Sequence, residues 1–166
     1  MLIIALVLIL AQVIVLNHVC LFGVAVPLAF IYVILRLPVT ISKDFLFTIA
    51  FMMGLIVDVF SDTGGINTLS CLVLAALRRP ILHLYFHRED ELSNPFPSID
   101  TLGMMTYFKY ALTMSLVYCM MVFTLEYLSF KYLWHVVFCV LASTILTTAL
   151  LMGIDSLTLP RREKRL

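Results

Sequence analysis

The chain has 166 residues, of which 63% are apolar and 13% charged, with a mean hydropathy of +1.09; an average soluble domain is about half apolar and a quarter charged. These proportions exclude an ordinary water-soluble fold, and at roughly 20 apolar residues per spanning helix the length admits at most about six crossings and no separate soluble domain. A net charge of +1 offers no electrostatic case for a nucleic-acid partner.

No charged side chain occurs from Met1 to Leu35. As one helix that run would be about 52 Å long against a hydrocarbon core of roughly 30 Å, so it has to turn back. The turn is expected at Asn17-His18-Val19-Cys20-Leu21-Phe22-Gly23, giving helices over residues 1–17 and 24–37 with Pro27 in the first turn of the second. The first has neither a basic leader nor a small-residue cleavage site and is expected to be retained. Leu37-Pro38 closes the second helix, and Ser42 is placed to cap a third over 44–60.

Ser61-Asp62-Thr63-Gly64-Gly65 is the strongest turn signal, because glycine accepts left-handed backbone angles and Asp and Thr bond local amides. A fourth helix over 66–86 reaches the membrane surface at Arg78-Arg79-Pro80. The polar loop HREDELSNPFPSID follows over 87–100, then helices over 102–125 and 132–154 and a basic tail over 156–166. The expectation is one all-α transmembrane domain of six helices. Ten of the 11 basic residues then share a side, with only Lys131 opposite, which puts both termini in the cytoplasm.

Asp58 is the first candidate site, because an acid at the bilayer centre costs about 2.5 to 3.5 kcal/mol and marks function by default. Two roles are open to it: fixing the hairpin through the amides and hydroxyls of Asp62 to Thr68, or meeting a partner. Gly54 shares its helix face and would let another helix approach closely, inside the protein or from a partner. With Ala75 and Ala76 it forms the expected partner face, and Asp62, Gly64 and Gly65 complete the element. Arg78, Arg79, Arg161, Arg162, Lys164 and Arg165 suit lipid headgroups or set the topology. His83 and His87 sit one helical turn apart beside Glu89, Asp90 and Glu91, but no motif supplies a third metal ligand. Asp155 and Glu126, at helix ends, are expected to be solvated or interfacial. Cys20, Cys71, Cys119 and Cys139 are spaced one per apolar segment and read as small apolar residues. No nucleophile elbow, phosphate loop, HExxH or CxxC is present, so neither enzyme chemistry nor a cofactor or metal is expected.

The residues Gly54-Leu55-Ile56-Val57-Asp58-Val59-Phe60-Ser61-Asp62-Thr63-Gly64-Gly65, followed by an apolar helix ending Leu77-Arg78-Arg79-Pro80, resemble the rod shape-determining MreD family, which is marked by a G-[LF]-x-x-D element, a later glycine and a basic helix end. Only about residues 50–80 carry that motif content; length and helix number extend the likeness over the chain. The resemblance implies a non-enzymatic scaffold of the bacterial inner membrane, serving cell elongation and cell shape. Its implied partners are the single-span protein MreC and, indirectly, the peptidoglycan polymerase and transpeptidase and the actin-like MreB. It also implies the fold of the substrate-binding subunits of energy-coupling-factor vitamin transporters. A substrate-capture subunit of that kind is therefore the alternative, although the outer half offers few polar side chains for a solute: Asp58, Asp62, Asn67, Thr68, Ser70 and Glu126.

Overall fold

A computed structural model of the chain describes residues 2–13, 27–85, 96–126 and 133–158. These form seven helices and, among the described residues, no strand: α1 (Leu2–Ala11), α2 (Ile31–Arg36), α3 (Lys43–Ser61), α4 (Ile66–Tyr85), α5 (Ile99–Leu102), α6 (Met104–Glu126) and α7 (Leu133–Thr158). Three are long and apolar enough to cross a membrane: α3, α6 and the Val136–Thr158 part of α7. The expected turns at 17–23 and 126–131 lie wholly or mostly outside the described residues, as do most of the 87–100 loop and of the basic tail with Arg161, Arg162, Lys164 and Arg165.

Ser42 caps α3 as expected, its hydroxyl accepting the Phe45 N–H at 3.4 Å. The buried residues of α3, Leu46, Ala50, Met53, Gly54, Val57 and Asp58, recur every three or four positions, so one stripe faces inward. The opposite side remains apolar: Val59 and Phe60 on α3 are 71% and 66% exposed, and Phe138 and Ile145 on α7 are 64% and 68% exposed. Exposed apolar ridges of that kind are rare on a water-facing surface and suit contact with lipid or with another protein. Burial against lipid supplies little drive for helices to associate, so close packing and polar contacts must hold the bundle. Accordingly α3 packs on α4, α4 on α6 and α6 on α7, with Ser143, Thr144, Thr147 and Thr148 of α7 all buried. Ser115 of α6 meets Thr148 at 2.8 Å.

Three expected boundaries are corrected. The second helix is not continuous over 24–37: α2 holds only Ile31–Arg36 and is preceded by an irregular stretch at 27–30. All of residues 27–35 are buried, so this short element sits in the middle of the bundle, where Phe30 meets Tyr118 edge to face at 5.7 Å. The helix expected from 102 starts at Met104, after the separate turn α5 and Gly103, which has φ +78. Finally, α7 continues to Thr158, a turn beyond the expected end at 154.

Candidate functional site

The α3–α4 hairpin is organised around one carboxylate. Asp58 Oδ1 accepts from the Thr63 hydroxyl at 2.6 Å, the Asn67 N–H at 3.0 Å and the Asn67 amide at 3.1 Å. Its Oδ2 accepts from the Thr68 N–H at 2.7 Å and the Thr68 hydroxyl at 2.5 Å. Asn67 and Thr68 belong to the first turn of α4, whose N–H groups have no partner within the helix and carry the positive end of its dipole. A side chain of α3 thus caps α4 and joins the two helices through charge-assisted bonds. The network reaches α6 through the Tyr118 hydroxyl, which donates to Asn67 Oδ1 at 2.7 Å. Of the two roles open to Asp58, the geometry is that of hairpin fixing: five donors converge on a carboxylate only 6% exposed.

Around this carboxylate the turn chemistry differs in detail from expectation. Asp62 takes the left-handed conformation (φ 54) at the end of α3, with its N–H on the Asp58 carbonyl. Gly65 has φ +91, whereas Gly64 does not take a left-handed angle. Gly54 is required for a different reason. A Cβ placed there would lie 2.4 Å from Thr68 Cα and 3.0 Å from the Asn67 carbonyl oxygen, so α4 crosses directly over it.

Of the two close approaches open to Gly54, this crossing is the one inside the protein. Gly54 and Ala75 are buried in the hairpin's own packing, and of the three small residues only Ala76 is exposed. For Arg78, of the headgroup and topology roles, the first is closed, because the side chain is 1% exposed and so unavailable to lipid headgroups. Its guanidinium donates to the carbonyls of Leu35 at 3.4 Å, Leu37, and Pro38 at 3.5 Å, closing the C-terminal end of α2, where helix carbonyls lack partners. Arg79 remains half-buried near the surface and donates to the Ile41 carbonyl at 2.6 Å.

Asp155, expected to be solvated or interfacial at a helix end, is instead fully buried within the protein. Its Oδ1 accepts from Arg36 at 2.9 Å and from the Tyr32 hydroxyl at 2.9 Å, and its Oδ2 takes the Ile99 N–H at 2.8 Å. The Tyr32 hydroxyl also lies 2.7 Å from that of Thr158, and Arg36 donates to both hydroxyls. The irregular stretch before α2 has a comparable solution. Gln12 donates to the Pro27 carbonyl at 3.1 Å and accepts the Ala29 N–H at 3.0 Å, while Thr147 Oγ1 accepts the Leu28 N–H at 3.3 Å. Irregular backbone inside a membrane protein is tolerated only when such groups are satisfied internally. Gln12 and Thr147 carry no sequence signal for this role, whereas the spacing of Ser143, Thr144, Thr147, Thr148, Leu151 and Asp155 marks one buried face of α7 and could have placed Asp155 on it.

Cys71, Cys119 and Cys139 are buried thiols within helices, as expected. His83 is exposed, His87 lies outside the described residues, and among the described residues no cluster of His, Cys, Asp or Glu could hold a metal. The polar groups at hand cap helices and bridge them. No family model, curated protein or solved structure matches the chain.

Proposed function

We propose that this protein is a non-enzymatic scaffold of the bacterial inner membrane that binds MreC and helps position peptidoglycan synthases in a MreD-like role. In this reading six helices cross the membrane, both termini are cytoplasmic, and the fold is that of the vitamin-transporter substrate subunits. The observation that carries the reading is the hairpin: within the Gly54 to Gly65 element that bears the family resemblance, the glycine and the aspartate of the G-[LF]-x-x-D pattern each have an architectural task. Gly54 admits α4, Asp58 caps it, and Gly65 turns the chain. The vitamin-subunit alternative is disfavoured because Asn67, Thr68 and Ser70, which would face a solute, spend their polar atoms within the hairpin, on α4 itself or on Tyr118.

Depletion in a rod-shaped host is the test. Rounded cells, with MreC recovered alongside the tagged protein in mild detergent, are the expected outcome. Copurification of a vitamin or an ATPase module, with cell shape unchanged, would transfer the assignment to the transporter subunit.

A further inference from the structure

A groove of about 290 Å³ opens between the start of α3 and the middle of α4, lined by Lys43, Leu46 and Phe47 on one side and Ala75, Ala76, Arg79 and Pro80 on the other. Its composition follows from helical spacing. Lys43, Leu46 and Phe47 share one face of α3, and Ala75, Ala76, Arg79 and Pro80 share one face of α4. The small side chains of Ala75 and Ala76 leave the space, while Phe47 and Leu46 form an apolar wall. Both cations stand at one end of it. Among the described residues neither Lys43 nor Arg79 has a carboxylate partner, the ion pair there being Arg36 with Asp155. Arg79 uses one nitrogen on the Ile41 carbonyl, which fixes the guanidinium and leaves further N–H donors for another acceptor. Asp44 follows Lys43 in sequence but does not line the groove.

We propose that this groove binds an anionic phospholipid, its phosphate between Lys43 and Arg79 and its first methylenes against Phe47 and Ala76. Charge complementarity selects the occupant. Two cations with no carboxylate partner among the described residues, at the end of a helix long and apolar enough to span a membrane, above apolar walls that continue along the helices, match a headgroup and its chains; basic pockets between helices at a membrane face recognise such lipids. The apolar path continues one turn deeper at Phe51, which is 40% exposed. A soluble anion would use the cations and gain nothing from the walls. The inference requires only that α3 crosses a membrane and is independent of the scaffold role.

Native mass spectrometry of the full-length detergent-purified chain, with phosphatidylglycerol or phosphatidylcholine added at equal concentration, tests it. Retention of phosphatidylglycerol at least about threefold above phosphatidylcholine is expected. Lys43→Glu, at an exposed position, should remove the preference, and Ala76→Leu, which fills the groove with an apolar side chain, should lower retention of either lipid. Lys109→Glu, an equal charge change outside the groove, should leave the preference intact. Equal retention of the two lipids by the unaltered chain would overturn the proposal, as would a preference that survives Lys43→Glu or falls equally with Lys109→Glu.

Discussion

Replacing Gly54 by alanine puts a methyl group 2.4 Å from Thr68 Cα, against backbone that cannot yield as a flexible side chain would. The substitution improves helix propensity by about 1 kcal/mol, but overpacking costs typically about 1–3 kcal/mol, so Gly54→Ala should lower the melting temperature in detergent. Gly64→Ala should not, because open space surrounds that position and its backbone is not left-handed. Gly65→Ala should cost about 1–2 kcal/mol through its φ of +91 alone. Three glycines in one short element therefore respond in three ways, and equal melting temperatures for all three variants would refute the packing described. Asp58 gives a complementary pair. In Asp58→Asn one oxygen becomes an N–H₂ group that faces donors, stranding either the Thr68 or the Asn67 N–H at a cost of about 1–3 kcal/mol. Asp58→Leu strands both, at about 2–6 kcal/mol on the same scale. The expected order in thermal unfolding is native, Asn, Leu; an Asn variant as stable as the native chain would show that the second oxygen is dispensable.

The elements were legible in the sequence wherever their determinants are local. Ser42 caps the helix it precedes, Asp58 bonds residues nine and ten positions away, and the turn between α3 and α4 is set by the residues inside it. What escaped was long-range. The break before α2 is satisfied by Gln12 and Thr147, the latter 119 residues from Leu28, and Arg78 reaches back 41 residues to the Leu37 carbonyl. A pattern of apolar residues cannot distinguish a continuous buried helix from a broken one whose free backbone groups are bonded from elsewhere, and Pro27 was compatible with either. The break should accordingly depend on its remote partner. Gln12→Leu leaves the Pro27 carbonyl and the Ala29 N–H buried without partners, at about 1–3 kcal/mol each. Hydrogen exchange of the amides in 28–35 should accelerate while the α3–α4 hairpin keeps its protection. Uniform acceleration across both regions would mean instead that α2 and the hairpin open together.

At the scale of the whole molecule, the charged groups that tie the bundle are sorted to its two ends. Arg36, Arg78, Arg79 and Asp155 cross-link the end where α2, α4 and α7 finish and α3 and α5 begin, while Asp58, Thr63, Asn67 and Thr68 tie the opposite end. The cationic end is the one that positive-inside insertion would leave in the cytoplasm. Trp134 reports on the other. It is the only tryptophan in the chain, it is 89% exposed near the start of α7, and an indole there belongs at the interface between membrane and water. In vesicles its fluorescence should therefore be quenched more strongly by lipids brominated near the headgroup than by lipids brominated near the chain ends. The α7 span of 23 residues is about 35 Å long at 1.5 Å per residue, enough to carry the chain from that interface across a core of roughly 30 Å. A C-terminal reporter should then be active only in the cytoplasm. Trp134 quenched best by the deepest bromines would show that α7 does not begin at an interface, and a C-terminal reporter active outside the cytoplasm would invert the molecule and place the basic end on the wrong side for the charge asymmetry that orients it.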